Sequence, residues 1–263
     1  MKKLMVLLYG TVCYSIFLFT FLYAIGFTGN FIVPKSIDSG TNGSGPMAVI
    51  SNICLLSLFA LQHSIMARPE FKKWWTKFIP VSIERSTYVL LASLALLLLF
   101  WKWSPFQNVV WEFRSGFGKY FFTALFATGW LIVLLSTFMI NHFDLFGLKQ
   151  VFYYFKNKPA DELIFKTNWL YKIVRHPIML GFIIAFWSAP VMTAGHLLFS
   201  IVTTAYILVA IHFLEEKDLE KSIGKEYKDY KKKVPMLIPF SKNSSKEKVN
   251  VRTKNESKNP VTI

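Results

Sequence analysis

Apolar residues recur in long runs along this chain, and polar residues are concentrated between the runs. A helix that crosses a bilayer needs roughly 20 mostly apolar residues, because the hydrocarbon core is about 30 Å thick. Six runs therefore predict membrane-spanning helices. They cover residues 4–27, 47–66, 87–103, 120–140, 178–194 and 196–214. The fifth and sixth runs meet at Ala194-Gly195, which predicts a tight helical hairpin.

The composition agrees with this pattern. Of the 263 residues, 53% are apolar and only 17% are charged, whereas a soluble domain carries about 25% charged residues. The hydrophobicity excludes intrinsic disorder over most of the length, and two cysteines, Cys13 and Cys54, exclude a disulfide-stapled secreted domain. The sequence predicts an all-α polytopic membrane protein.

The formal net charge of +15 is distributed unevenly along the chain. If the N-terminus is cytoplasmic, only four of the 30 Lys and Arg residues fall on the outer side of the membrane: Lys35, Lys102, Arg114 and Lys119. Because cytoplasmic segments of membrane proteins are enriched in Lys and Arg, this distribution predicts that both termini are cytoplasmic. It also explains the positive charge without a nucleic-acid partner.

The end of the chain changes in character. Residues 215–233 are highly charged and favour a helix, and residues 241–263 are dominated by Lys, Ser and Asn. The sequence predicts a single transmembrane domain over residues 1–240 and a disordered basic tail over residues 241–263.

Three polar clusters lie at the predicted cytoplasmic ends of spans. The first contains Gln62, His63, Ser64 and Arg68; the second contains Glu84, Arg85, Ser86 and Tyr88; the third contains Tyr171, Arg175, His176, Glu215 and Glu216. Ionisable groups at such positions are costly and usually functional. Because the clusters share one depth, they predict one polar pocket that opens to the cytoplasm.

Structural roles stay open for part of these clusters. His63 could serve only as a hydrogen-bond partner between helices, and Glu84-Arg85 could be an ordinary interfacial ion pair. The chain has no H-x-x-x-H motif and no paired cysteine spacing, so we expect no bound metal.

Two motifs in the last third of the chain resemble a known family. Residues 171–181 (YKIVRHPIMLG) resemble the Y-x-x-x-R-H-P-x-x-x-G signature of the isoprenylcysteine carboxyl methyltransferase superfamily. Residues 215–235, which begin with Glu215-Glu216 and end with Val234-Pro235, resemble its C-terminal cofactor element. Residues 61–75 and 84–90 resemble the nurim-like branch of the superfamily. Met179 departs from the pattern, since many members have Tyr there.

The resemblance implies a site for S-adenosyl-L-methionine at the boundary between membrane and cytosol. The residues that it assigns to the cofactor are Tyr171, Arg175, His176, Pro177, Gly181, Glu215, Glu216, Tyr227 and Tyr230. Arg175 is expected to bind the carboxylate of the cofactor, Glu215 or Glu216 its ammonium group, and Tyr227 and Tyr230 its adenine. For the nurim-like bacterial branch, the implied reaction converts methanethiol to dimethyl sulfide.

Methylation of a thiol requires the thiolate, so a base or a positive field is needed. We predict His63 as the general base, because a neutral imidazole suits cytosolic pH. Arg68 or Arg85 is expected to stabilise the thiolate, and Glu84 to orient the arginine with which it pairs.

Other functions are compatible with the sequence. The chain could be a related methyltransferase acting on a prenylcysteine, a lipid or another thiol. It could also be a non-catalytic nurim-like membrane protein, which would not need Arg175, His176 and Glu216 at one depth. Reduction by a nicotinamide cofactor agrees less well with the Arg-His-Pro element.

Overall fold

The computed structural model describes residues 1–159 and 167–241. Its α-helices are α1 (Lys2–Gly29), α2 (Gly45–Ala67), α3 (Pro69–Trp75), α4 (Val81–Lys102), α5 (Gly116–Ile140), α6 (His142–Leu145), α7 (Leu148–Lys156), α8 (Pro177–Trp187), α9 (Ala194–Ala210), α10 (Glu216–Ile223) and α11 (Lys225–Lys233). Two short strands are present, β1 (Val109–Glu112) and β2 (Val191–Thr193). A 3₁₀ turn spans Trp169–Lys172, and a π-helical turn spans Ile211–Glu215. Apart from Ser241, the predicted tail lies outside the described residues.

The protein is an all-α polytopic membrane protein. Within residues 1–159 and 167–241, five helices are long and apolar enough to cross a membrane. They are Lys2–Gly29, Gly45–Ala67, Val81–Lys102, Gly116–Ile140 and Ala194–Ile223, the last of which joins α9, the π-helical turn and α10. Five of the predicted spans are therefore confirmed as helices.

The structure differs from the sequence prediction in the fifth span. The helix α8 contains only 11 residues, which corresponds to about 16 Å, half the thickness of the hydrocarbon core. It ends at Trp187, because Pro190 cannot donate a backbone hydrogen bond and disfavours a helical conformation at Ala189. Apolar character alone does not distinguish this short helix from a full span.

Residues after α8 form a small antiparallel sheet instead of continuing the helix. The strand β2 pairs with β1, with Met192 opposite Trp111 and Val191 opposite Glu112. The indole of Trp111 donates a hydrogen bond of 3.0 Å to the carbonyl of Ala189. The predicted hairpin of α8 and α9 is present, but its connection is residues 188–193 and includes β2.

Contacts between helices show which helix ends lie together. At one end of the bundle, Tyr9 near the start of α1 is hydrogen-bonded to Thr87 near the start of α4, at 2.9 Å. At the same end, the hydroxyl of Tyr14 lies 2.8 Å from His142, directly after α5. The starts of α1, α4 and α8 and the ends of α2, α5 and α9 meet there, and we call this end of the bundle the site end.

Large aromatic side chains fill the opposite half of the bundle. The core there is formed by buried rings of several helices: Phe27, Phe100, Trp103, Trp130, Phe186 and Phe199. The indole of Trp103 donates to the carbonyl of Ile37 at 3.1 Å, which holds the loop after α1 against this core. The aromatic core and the polar clusters therefore lie in opposite halves of the bundle, with the polar clusters at the site end.

Candidate active site

The structure brings the three polar clusters together at the site end. The hydroxyl of Tyr88 lies 3.0 Å from the ring nitrogens of His63, which connects the second cluster to the first. Arg68 forms an ion pair of 2.9 Å with Asp218 on α10, three residues beyond Glu215. The clusters on α2, α4 and α9–α10 therefore form one connected site.

The strongest contact in this site joins Arg175 to Glu216. The Nε and Nη2 atoms of Arg175 donate to Glu216 Oε1 at 2.8 and 2.5 Å, and both side chains are 4% exposed. The Nη1 atom of Arg175 donates to the carbonyls of Lys231 and Val234 at 3.0 and 2.6 Å. The guanidinium thus holds the C-terminal segment against the start of α8.

The backbone reinforces this attachment. The amide of Arg175 donates to the carbonyl of Pro235 at 2.9 Å, and the amide of His176 donates to that of Met236 at 3.2 Å. Pro177 then occupies the first position of α8, where its fixed φ suits a helix start and its missing N–H costs nothing. The Arg-His-Pro element is therefore an attachment point for the segment that follows α11.

Glu216 is fully engaged by its neighbours. Its Oε2 atom lies 2.7 Å from the ammonium of Lys231, and its Oε1 atom lies 3.4 Å from His176 Nε2. A carboxylate that is 4% exposed requires such compensation. Arg175 and Glu216 thus bind each other in the protein interior and do not lie on an open surface.

Glu215 differs from Glu216 in its surroundings. Its side chain is 42% exposed, and its Oε1 atom lies 3.4 Å from Nδ1 of His176. Burial alone lowers the pKa of His176, but hydrogen bonds to Glu215 and Glu216 outweigh this effect and raise the pKa above its ordinary value. The charge of Glu215 also contributes to the electrostatic environment of five other side chains: His63, Tyr88, Tyr171, Tyr206 and Tyr227.

A π-helical turn presents the two glutamates in different directions. It spans Ile211–Glu215 and separates α9 from α10. Such turns insert an extra residue into a helix and are frequently found at functional sites. Directly after the turn, Glu216 is bound to the buried Arg175. Glu215, the last residue of the turn, lies beside His176 and remains partly exposed.

The three tyrosines that the resemblance assigns to the cofactor lie around the C-terminal segment. Tyr230 donates a hydrogen bond of 2.5 Å to the carbonyl of Tyr171, and the rings of Tyr227 and Tyr230 are 5.9 Å apart. Burial raises the pKa of Tyr230 to about 12 and raises the pKa values of Tyr171 and Tyr227 as well. These hydroxyls therefore stay neutral at physiological pH.

Gly181 was assigned to the cofactor by resemblance, and the structure places it at a helix contact. A Cβ atom at Gly181 would lie 2.7 Å from the carbonyl oxygen of Gly129 on α5, and 2.8 Å from Val133. A side chain at this position would force α5 and α8 apart. Close packing of α8 against α5 therefore accounts for the glycine at position 181.

The predicted catalytic residues have individual partners. Arg85 donates to the carbonyl of Leu145 at 2.8 Å, and its guanidinium lies 5.2 Å from the ring centre of Tyr88. Arg68 is bound by Asp218, and Arg85 is bound by the carbonyl of Leu145. The predicted pairing with Glu84 therefore does not position either arginine. The charge of Glu84 acts on Tyr88 and Lys72.

Sequence reasoning missed Tyr206 and Asp218. The hydroxyl of Tyr206 lies 3.0 Å from the hydroxyl of Ser64 and joins α9 to α2. Its signal in the sequence was a hydroxyl-bearing ring within a predicted span. In the described part of the chain, no group of three or more His, Cys, Asp or Glu side chains could hold a metal ion.

Comparisons with known proteins place the chain in a family. The model of the NnrU protein family matches residues 53–238. The chain is 53% identical to a methanethiol S-methyltransferase of Mycobacterium tuberculosis, over 91% of this chain and 98% of the relative. It is 56% identical to methanethiol S-methyltransferase 1 of Bradyrhizobium diazoefficiens, over 90% and 83%.

A more distant similarity extends to animals. The chain is 30% identical to nurim of Mus musculus over 64% of this chain and 66% of nurim. No solved structure matches the chain. Because the family model covers well over half of its length, the chain belongs to the NnrU protein family.

Proposed function

We propose that this chain methylates methanethiol to dimethyl sulfide, with S-adenosyl-L-methionine as the methyl donor, and that residues 1–240 form the catalytic domain. The observation that carries the proposal is the 53–56% identity to two methanethiol S-methyltransferases over about nine tenths of the chain. Similarity of this extent covers most of the chain. The identity to nurim is much lower and covers less of the chain.

The donor set of the site fits a cationic methyl donor. Glu215 is a partly exposed carboxylate 3.4 Å from His176, and its charge acts on Tyr171 and Tyr227. A carboxylate attracts ammonium and sulfonium groups, and tyrosine rings can add cation–π contacts. Glu215 and His176 would bind the polar end of S-adenosyl-L-methionine, and Tyr171, Tyr227 and Tyr230 would line its adenine. When bound, S-adenosyl-L-methionine supplies an electrophilic methyl group.

Arg175 and Glu216 have a structural role in this site. Their mutual contacts and the bonds of Arg175 to Lys231 and Val234 hold the C-terminal segment in place. Their proposed role is therefore to position the cofactor-binding residues, which revises the expectation that Arg175 binds the carboxylate directly.

His63 is the proposed base for the acceptor thiol. Its hydrogen bond to Tyr88 fixes the orientation of the imidazole, and a neutral imidazole can accept the proton of the thiol. Arg85 lies over the ring of Tyr88 and would stabilise the thiolate that remains. Arg68 acts indirectly, because its ion pair with Asp218 connects α2 to α10.

The site end is proposed to face the cytosol, where S-adenosyl-L-methionine is available. Basic residues are abundant in the segments at this end, whereas Lys35, Lys102, Arg114 and Lys119 belong to segments at the other end. The positive-inside rule supports this orientation and cytoplasmic termini.

A direct assay tests the proposed function. Membranes that contain the protein are incubated with S-adenosyl-L-methionine labelled in its methyl group and with methanethiol, and labelled dimethyl sulfide is measured in the gas phase. Label in lipid or in a prenylcysteine acceptor instead would identify a related methyltransferase. Absence of transfer to any acceptor, together with absence of cofactor binding, would indicate a non-catalytic membrane protein.

A further inference from the structure

Four aromatic rings form a continuous row across the site end. Tyr206 on α9 lies 6.5 Å from Phe59 on α2, measured between ring centroids, and the two rings are almost perpendicular. Phe59 stacks on His63 at 5.2 Å, and His63 lies 5.2 Å from Tyr88 on α4. The row therefore connects three membrane helices at the depth of the proposed base.

Both outer rings of the row are anchored by hydrogen bonds to neighbouring positions of α2. The hydroxyl of Tyr88 binds His63, and the hydroxyl of Tyr206 binds Ser64, each at 3.0 Å. Because Phe59 and His63 are four residues apart, they occupy the same face of α2. The rings thus have fixed orientations and form a wall rather than a group of mobile side chains.

The wall lies beside the proposed cofactor-binding carboxylate. Arg68, four residues after Ser64, forms an ion pair of 2.9 Å with Asp218, which lies three residues beyond Glu215. A methyl acceptor that contacts the rings would therefore be close to both the proposed base and the proposed cofactor site.

Aromatic rings suit a small sulfur compound. Sulfur is polarizable and makes favourable contacts with ring faces and edges, and a rigid apolar surface binds a short alkyl group without a hydrogen-bond partner. A carbohydrate or an amino acid would leave its polar groups unpaired against such a wall. The row therefore matches a short-chain thiol.

We propose that the row of Phe59, His63, Tyr88 and Tyr206 is the binding wall for the acceptor thiol, and that Tyr206 limits the size of its alkyl group. This inference rests on the proposed function and adds to it a residue that determines specificity. Tyr206 is suited to this role because it is the only member of the row on α9, and Ser64 fixes its ring against α2.

The test compares thiols of increasing length with the full-length protein in membranes. We expect Tyr206→Ala to raise the ratio of kcat/KM for ethanethiol to that for methanethiol by about tenfold, since one methylene in an apolar site changes selectivity by this order. The KM for S-adenosyl-L-methionine should not change. Tyr206→Phe, which keeps the ring, should retain the preference of the wild type. Leu208→Ala is the matched control, because Leu208 lies on the exposed face of α9.

The outcomes separate this inference from the proposed function. If Tyr206→Ala slows both thiols equally and the ratio stays constant, Tyr206 has only a packing role and the inference is overturned. If the wild type methylates no thiol, the proposed function fails, and the inference fails with it. Should Tyr206→Ala not accumulate in membranes, Tyr206→Leu shortens the side chain and retains apolar volume, and the same change in ratio is required of it.

Discussion

Arg175 and Glu216 form a buried ion pair that joins the start of α8 to the start of α10, with both side chains 4% exposed. The same guanidinium binds two carbonyls of the segment after α10. The pair therefore connects three parts of the chain that are distant in sequence. The sequence motifs assign Arg175 and Glu216 to the cofactor, but in this fold the two side chains are bound to each other.

Removal of Arg175 should destabilise the protein. We expect Arg175→Ala to lower the stability by about 3–5 kcal/mol, because Glu216 is left as a buried charge with weaker compensation. Thermal unfolding in detergent measures this loss, and limited proteolysis should show earlier cleavage after Lys231–Lys233. The matched control is Arg114→Ala, since the ion pair of Arg114 with Glu112 is exposed and should contribute at most about 1 kcal/mol. Equal effects of both variants would contradict this prediction.

Glu215 should affect the cofactor more than the fold. We expect Glu215→Gln to reduce the affinity for S-adenosyl-L-methionine by at least about tenfold, because a charged partner is lost, and to leave the melting temperature nearly unchanged. Calorimetric titration of the purified protein gives the affinity. An unchanged affinity would remove Glu215 from the cofactor site. Glu226→Gln on α11, where the side chain is exposed, serves as the control for loss of a negative charge.

His63 should affect turnover without affecting cofactor binding. Loss of a positioned base typically lowers the rate by about 10²–10⁴-fold, so His63→Ala should show this decrease with methanethiol. The defect should diminish as the pH rises, because the solution then supplies thiolate. Rates of wild type and variant are compared over pH with the thiolate concentration taken into account. A defect of constant size at every pH would assign His63 to packing of the aromatic row.

The stability contributed by His176 should depend on pH. Its pKa in the folded protein is raised above the ordinary value of 6.5, so its protonated form is favoured by folding. This contribution is fully present below pH 6.5 and is lost as the pH rises through the raised folded value. The difference in melting temperature between wild type and His176→Gln should therefore shrink with rising pH. His212→Gln, at an exposed position of the π-helical turn, is the matched control for the substitution.

The orientation in the membrane can be measured with single cysteines. In a background with Cys13→Ala and Cys54→Ala, we expect Ser44→Cys to react with an impermeant thiol reagent in intact cells. Lys158→Cys should react only after the membrane is permeabilised, because the segment that contains Lys158 belongs to the site end. The reverse pattern would invert the proposed topology.

Much of this architecture could be predicted from the sequence because it depends on local physical properties. Long apolar runs form helices in a membrane, and charged residues at their ends come together because the spans alternate in direction. The length of α8 was not predicted in the same way, because its apolar run continues past Pro190 into β2, and the pairing of β2 with β1 is not visible in the sequence.

The partners of individual side chains could also not be predicted from the sequence. The motif around Arg175 predicts a functional position, but its contacts with Lys231 and Val234 depend on how residues 231–236 return to the bundle. Tyr206 has no motif, and its importance follows only from the proximity of α9 to Ser64 and Phe59.

The short helix α8 has a consequence for the backbone that follows it. Lipid offers no hydrogen-bond partners, so the extended chain after Trp187 requires β1 to satisfy its backbone groups. The amide of Phe113, next to β1, donates to the carbonyl of Pro190 at 2.8 Å and completes this requirement. Within the described residues, the five long helices satisfy their backbone hydrogen bonds internally, whereas the chain that continues from α8 depends on a segment that precedes α5. A change that disrupts β1 would therefore leave backbone groups after α8 without their partners, although the two segments are far apart in sequence.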